Sequence, residues 1–281
     1  MYRLALHETD LLSEAETARL HGQFANPADY VHGPFEEDCT IVSPTAPGGI
    51  AARLVPQCLN NPLATIELFR SVKGELSNRG LGAPLLYRER ADGTFGHRTE
   101  VPPSIRVPGD SNFLGWWDKT ESEILCRPTA WALERPDILE ISRDFERTVH
   151  QVYKEELPFH WQDQMEFMKN VSPDYRYLNS VYSTITVNRN ARFPYHYDFG
   201  DFAGGLGNLV VLDGSQDDTD TSGVMVMPTE RVSFRVRPGD ILFMNVHALH
   251  GNLALNGKER LTAVLYAREN INRCGKNTRG R

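Results

Sequence analysis

The chain has 281 residues, a hydrophobic content of 40% and a formal net charge of −7. That is enough apolar material for one large core, and the acidic balance argues against a protein held on nucleic acid by a broad basic surface. No apolar run approaches the roughly 18 residues of a membrane span, and the opening MYRLALHETD lacks the basic-then-apolar order of a secretory signal, so a soluble, intracellular, membrane-free protein is expected.

Leu11 to Phe24 carries apolar residues at helical spacing behind a Ser13-x-x-Glu16 capping box, which predicts a helix. From Gly82 to Gly115 the chain is crowded with Pro, Gly and Arg, and loops with short strands are expected. Residues 1–125 therefore read as a helical and loop-rich region. Pro136-Asp137 opens an amphipathic stretch in which Ile138, Ile141, Phe145, Val149 and Val152 recur every three or four residues, ending between Lys154 and Pro158. A second helical piece, Trp161 to Met168, is stopped by Ser172-Pro173, so residues 126–176 read as supporting helices.

Beyond Tyr177 the texture changes to short runs of β-branched and aromatic residues punctuated by Gly, Asn, Asp and Pro. Strands are predicted at Ser180–Asn188, Phe193–Tyr197, Gly207–Leu212, Gly223–Met227, Arg231–Val236, Asp240–His247 and Leu261–Arg268. So many strands so closely spaced predict an α+β protein with a mainly β core: a jelly roll or double-stranded β-helix over residues 177–270, with helices packed on one face. Residues 271–281 form a basic tail. Cys39, Cys58, Cys126 and Cys274 are scattered, with neither a CxxC pair nor the density of a disulfide scaffold, and read as buried or idle thiols.

In FPYHYDFGD, His196 and Asp198 are two apart, so on an extended segment both point to one face. The later run GDILFMNVHALHGN supplies His250 as a third ligand at the end of an apolar strand. Two imidazoles and one carboxylate leave open coordination positions, the arrangement of non-haem Fe(II) oxygenases. His247 competes for the third place; His250 is preferred because Gly251-Asn252 ends the strand at the mouth of the fold.

In RLTAVLYAR, strict alternation puts Arg260, Thr262, Val264, Tyr266 and Arg268 on one face and Leu261, Ala263, Leu265 and Ala267 on the other. The second face packs. The first must look into a polar cavity, because two buried guanidinium groups need anionic partners. A dicarboxylate is such a partner, which makes Arg260 the candidate anchor for 2-oxoglutarate, with Thr262 beside it.

The runs STITVNRNARFPYHYDFGDFAGGLGNLVVLDG, GVMVMP, RPGDILFMNVHALHGN and ERLTAVLYAR resemble the TET/JBP family of 2-oxoglutarate oxygenases, which hydroxylate the methyl group of 5-methylcytosine or thymine in nucleic acid. The likeness runs from about Cys126 to Arg268, roughly half the chain. It implies a double-stranded β-helix, Fe(II) on His196, Asp198 and His250, and 2-oxoglutarate on Arg260, Thr262 and Asn188, with O₂ as co-substrate. It also implies that Asp201, Tyr266 and Arg268 hold the extruded base, Tyr266 stacking on it and Asp201 accepting from an exocyclic amine, which favours cytosine over thymine. A core aromatic and a turn cap are the bland readings of Tyr266 and Asp201. The chain lacks the cysteine-rich zinc region of animal TET proteins and looks more like compact phage or bacterial members.

The expected activity is thus oxidation of 5-methylcytosine in DNA to 5-hydroxymethylcytosine, by a monomer. A thymine hydroxylase, a hydroxylase of a free amino acid or natural-product intermediate, and a non-catalytic β-barrel binder are the alternatives. Tyr195, Tyr197, Phe199 and Phe202 interleave with the site, half of them core by alternation. Local basic clusters (Arg88, Arg90, His97, Arg98 and Arg106; Arg273, Lys276, Arg279 and Arg281) are candidates for the DNA backbone.

Overall fold

The structure is a computed structural model that describes residues 2–60, 63–73, 87–89, 95–97, 109–118, 126–217 and 219–274. In chain order, β1 (Tyr2–Ala5) leads into α1 (Glu14–Leu20), followed by β2 (His32–Phe35), β3 (Cys39–Val42), β4 (Ile50–Val55) and α2 (Leu63–Arg70). Next come a small hairpin of β5 (Tyr87–Glu89) and β6 (Phe95–His97), then β7 (Asp110–Trp117) and β8 (Arg127–Pro128). Three helices follow: α3 (Ala130–Glu134), α4 (Pro136–Glu156) and α5 (Pro158–Met168). The remaining strands are β9 (Thr184–Arg189), β10 (Gly207–Asp213), β11 (Met225–Met227), β12 (Val232–Phe234), β13 (Ile241–Met244), β14 (Gly251–Asn252) and β15 (Leu261–Tyr266).

Nine of these strands form one sheet in the order β1-β3-β4-β13-β10-β15-β9-β7-β8, and four form a second in the order β14-β11-β12-β2. Alternation along each strand separates two cores. Val210, Leu212, Ile241, Phe243, Ala263 and Leu265 turn to one side, where they pack with Ile138, Phe145, Val149 and Tyr153 of α4. Leu209, Val211, Leu242 and Met244 turn to the other, where Met227, Val232 and Phe234 of the small sheet meet them. The result is a double-stranded β-helix with helices against one face, and the site lies between the sheets.

Ser13 caps α1 as expected, its Oγ accepting from the Glu16 amide while Glu16 bonds back to the Ser13 amide. The long amphipathic helix runs from Pro136 to Glu156 with Ile138, Phe145 and Val149 buried, while Ile141, at the edge of that stripe, is exposed.

Four expectations need correction. The region before residue 126 is richer in strands than its composition suggested: β1, β3, β4 and β7 flank the C-terminal strands of the large sheet, and β2 closes the small one. Phe193–Tyr197 is not a ladder strand. Pro194 has no amide proton to donate, and the segment is held instead by isolated bridges, Phe24 to Pro194 on one side and His196 to His250 on the other. Several predicted strands are also shorter, Asp240–His247 ending at Met244 and Ser180–Asn188 beginning at Thr184. Finally, Cys126 and Cys274 are joined in a disulfide with Cα atoms 5.7 Å apart, across 148 residues of sequence that no spacing rule reads; Cys39 and Cys58 are free thiols. Among the described residues no helix is long and apolar enough to cross a membrane.

Candidate active site

The two histidines of the triad face each other across a single antiparallel bridge. The His196 amide donates to the His250 carbonyl at 2.9 Å and the His250 amide returns the bond at 3.1 Å. Residues paired in this way put their side chains on one side of the ribbon, and the ring centroids lie 4.3 Å apart. Asp198, two residues on, is tied by its amide to the Val246 carbonyl. One ligand atom from each of His196, Asp198 and His250 lies within 4.8 Å of the others.

The donor set suits a divalent cation. His196 Nδ1 contacts the Pro194 carbonyl at 2.8 Å and His250 Nδ1 the Ala248 carbonyl at 3.0 Å. A carbonyl only accepts, so each Nδ1 carries a proton and Nε2 is the ring nitrogen that faces the site. Burial and the neighbouring His250 push His196 down to about 4, so it stays neutral. Burial opposes the charge on Asp198, but His196 and His250 together hold its carboxyl down to about 2. His250, in turn, is raised against its burial by the hydrogen bond and charge of Asp198. His247 points elsewhere, its Nε2 3.0 Å from the Asp201 carbonyl.

The triad opens into a cavity of about 540 Å³. One wall is the mixed face of the last strand: Arg260, Thr262, Val264, Tyr266 and Arg268 all line it, while Leu261, Ala263, Leu265 and Ala267 sit in the helix-side core. Arg260 runs beside Gly223, where a Cβ would lie 2.7 Å from its Cδ; its Nη1 donates to the Val236 carbonyl. Burial pulls the guanidinium down to about 10, against the pull of Asp220 and Asp240, so it remains a cation. Thr262 accepts from Asn188 Nδ2 at 3.4 Å, and Ser111 donates to Asn188 Oδ1 at 2.6 Å.

The other end of the cavity carries Asp201, Tyr266 and Arg268. Asp201 and Arg268 are paired by an isolated backbone bridge. Burial raises the Asp201 carboxyl well above its ordinary value, and Asp198 adds to the effect. Burial works against the charge of Arg268 too, but Tyr266 and Asp118 outweigh it and hold it above the usual arginine range. The Tyr266 hydroxyl meets Thr186 Oγ1 at 3.1 Å. Of the four aromatics around the HxD segment, Tyr197 and Phe199 line the cavity, stacked 4.9 Å apart, whereas Tyr195 is core and Phe202 stacks on Phe167.

Sequence reading missed the residues that the first half of the chain brings here. Ser111, Phe113 and Trp117 line the cavity from β7, and His21 lines it from the end of α1. The signal was present in DSNFLGWW: Ser111, Phe113 and Trp117 alternate with the buried Leu114 and Trp116. Of the expected basic clusters, Arg90, Arg98, Arg106, Lys276, Arg279 and Arg281 and the side chains of Arg88 and His97 lie outside the described residues.

Comparison with known proteins accords with this geometry. The TET/JBP family profile, the oxygenase domain of the 2OGFeDO superfamily, matches residues 126–269. The bifunctional helicase and thymine dioxygenase JBP2 of Trypanosoma brucei brucei is 32% identical over 171 residues, 58% of this chain and 15% of that protein. The thymine dioxygenase JBP1 of the same organism is 32% identical over 175 residues, 60% of this chain and 19% of that protein. The chain thus spans less than a fifth of these relatives. Among solved structures, NgTET1 in complex with 5mC DNA superimposes with a TM-score of 0.57 over 83% of this chain and 78% of that one, at 16% identity, a likeness of fold.

Proposed function

Because the chain belongs to the TET/JBP family of 2-oxoglutarate- and Fe(II)-dependent oxygenases, we propose that it oxidises the methyl group of 5-methylcytosine in DNA to 5-hydroxymethylcytosine. The observation that carries this reading is the pairing of Asp201 with Arg268 beside the metal triad, in a cavity roomy enough for a small dicarboxylate and one nucleobase. A methyl carbon aimed at the triad brings its ring neighbour C4 towards the turn that carries Asp198 and Asp201. The Asp201 carboxyl there can accept from the amine of cytosine through its carbonyl oxygen, even where burial favours its protonated form. A base reaches such a site only after leaving the stack.

In this reading His196, Asp198 and His250 hold Fe(II), which with 2-oxoglutarate and O₂ supplies the oxidising chemistry. The chain's own residues do the positioning. Arg260, with Thr262 and Asn188 alongside, takes the far carboxylate of the co-substrate through parallel hydrogen bonds. Tyr266 offers a flat face to the base, Asp201 and Arg268 take its polar edge, and the aromatic wall of Phe113, Trp117, Tyr197 and Phe199 excludes water from the reacting carbon.

A second reading, thymine oxidation, is favoured by the names of the trypanosomal relatives. Incubating the protein with Fe(II), 2-oxoglutarate, ascorbate and duplex DNA containing 5-methylcytosine, then analysing nucleosides by mass spectrometry, separates the two. 5-Hydroxymethylcytosine is the expected product, absent with Asp198→Ala. 5-Hydroxymethyluracil transfers the assignment to thymine, and succinate without any altered base transfers it to a small-molecule substrate.

A further inference from the structure

Arg268 is gripped by two residues that the family profile does not reach. Its Nε donates to Asp118 Oδ1 at 2.6 Å, and its Cζ sits 4.6 Å from the centroid of the Trp117 ring. The Asp118 side chain is only 2% exposed and that of Arg268 18%, so this is a partly desolvated, charge-assisted contact rather than a surface pair. Trp117 is itself backed by Phe113, with ring centroids 4.9 Å apart. Opposite this shelf, Nη2 lies against Gly200, where an added Cβ would be 3.4 Å away. The guanidinium therefore sits over the indole, is tied at Nε by the carboxylate, and is bounded at Nη2 by the turn that follows Asp198.

We propose that Trp117 and Asp118 are positioning residues that lock Arg268 so that its Nη edge reads the N3 and O2 atoms of a methylated cytosine and rejects thymine; this rests on the base-oxidation reading above. With Nε committed to Asp118, the two Nη groups form the remaining edge, a rigid fork of parallel donors. Cytosine presents two adjacent acceptors, N3 and O2, that fit such a fork. Thymine presents an N3–H between two carbonyls, so one arm of a fixed fork meets a donor and is left unpaired in a buried site. A mobile arginine would swing to a single carbonyl of either base; the clamp removes that escape. Discrimination therefore depends on residues 117 and 118 as much as on Arg268.

The test measures kcat/KM on two otherwise identical duplexes, one with 5-methylcytosine and one with thymine at the target position, together with binding of the same duplexes by fluorescence anisotropy. The wild-type preference for methylcytosine should fall about tenfold in Asp118→Asn, the scale of one good bidentate base contact, through a higher KM for DNA with the KM for 2-oxoglutarate moving less than twofold. Trp117→Leu should act in the same direction, and Trp117→Phe should restore most of the preference. In an Arg268→Gln background, Asp118→Asn should have no further effect, because the clamp acts only through Arg268. An unchanged base preference in Asp118→Asn, or a loss that persists in the Arg268→Gln background, overturns the clamp. A wild-type protein that prefers thymine overturns it while leaving base oxidation standing. A wild-type protein that oxidises neither base removes both.

Discussion

At the scale of single residues, the cavity uses charge where burial makes it costly, and each such group has a partner or a proposed ligand. Arg260 is a half-buried cation whose near neighbours, among the described residues, supply a carbonyl and two more distant carboxylates, so a bound dicarboxylate would complete it. Arg260→Ala should raise the KM for 2-oxoglutarate at least tenfold, about 1.4 kcal/mol of lost binding, whereas its kcat at saturation should fall less; an unchanged KM in steady-state assays would move the anchor to another residue. Glu146 is a different case. It is buried on α4, its carboxylate accepts from Ser180, and burial raises its pKa to about 7. The folded chain therefore holds a proton that the unfolded chain has released, and its contribution to stability is complete below the unfolded carboxyl value and lost as pH rises through about 7. Glu146→Gln keeps an acceptor for Ser180 and removes the charge. Its melting temperature should exceed the wild type's at pH 8.5 by the equivalent of about 3 kcal/mol and match it near pH 4.5. Equal melting curves at both pH values would mean that Glu146 finds a counter-charge.

At the scale of elements, β7 joins the two halves of the chain. It pairs with β9 along six residues, Asp110 to Gly115, and delivers Ser111, Phe113 and Trp117 to the cavity. Gly115 has φ near +120°, and a Cβ there would lie 2.3 Å from the Ser183 carbonyl, so the backbones of β7 and of the residue before β9 touch where a side chain would stand. Gly115→Ala should cost about 2 kcal/mol or more in chemical denaturation, and should lower activity further by shifting Trp117. A variant as stable as wild type would show that the strand can slide. The contrast between β7 and β15 explains what was legible in the sequence. In β15 a clean alternation, continued by the flanking Arg260 and Arg268 on the polar face, declared both a core side and a cavity side. In β7 the same alternation was hidden behind a Pro- and Gly-rich approach and interrupted by Gly115. The triad was readable because His196 and Asp198 are near neighbours and His250 follows an apolar run; Asp118 and His21 were not, because no local pattern distinguishes them from surface residues.

At the scale of the whole molecule, the segment that carries the family likeness does not contain its own sheet. The large sheet sets β4 against β13 at one side of the C-terminal strands and β7 against β9 at the other, and β2 pairs with β12 in the small sheet. Removing everything before residue 126 would leave β13, β9 and β12 as bare edges, each with a row of unpaired amides and carbonyls open to other chains. It would also strip Ile41, Ala52 and Leu54 from the core between the sheets and Leu114 from the core beneath the helices, apolar surface worth roughly 25 cal/mol for each Å² re-exposed. Backbone bonds from Gln23 and Gly22 to Tyr195, which hold the segment leading into His196, would be lost as well. A fragment of residues 126–281 should therefore fail to fold as a monomer: its far-ultraviolet circular dichroism should show no cooperative melting, and it should elute as aggregate in size-exclusion chromatography, while the intact chain melts in one transition. A fragment that melts cooperatively as a monomer near the temperature of the intact chain would mean that the first 125 residues decorate the double-stranded β-helix rather than complete it, and the specificity argued for Trp117 and Asp118 would then come from an accessory segment.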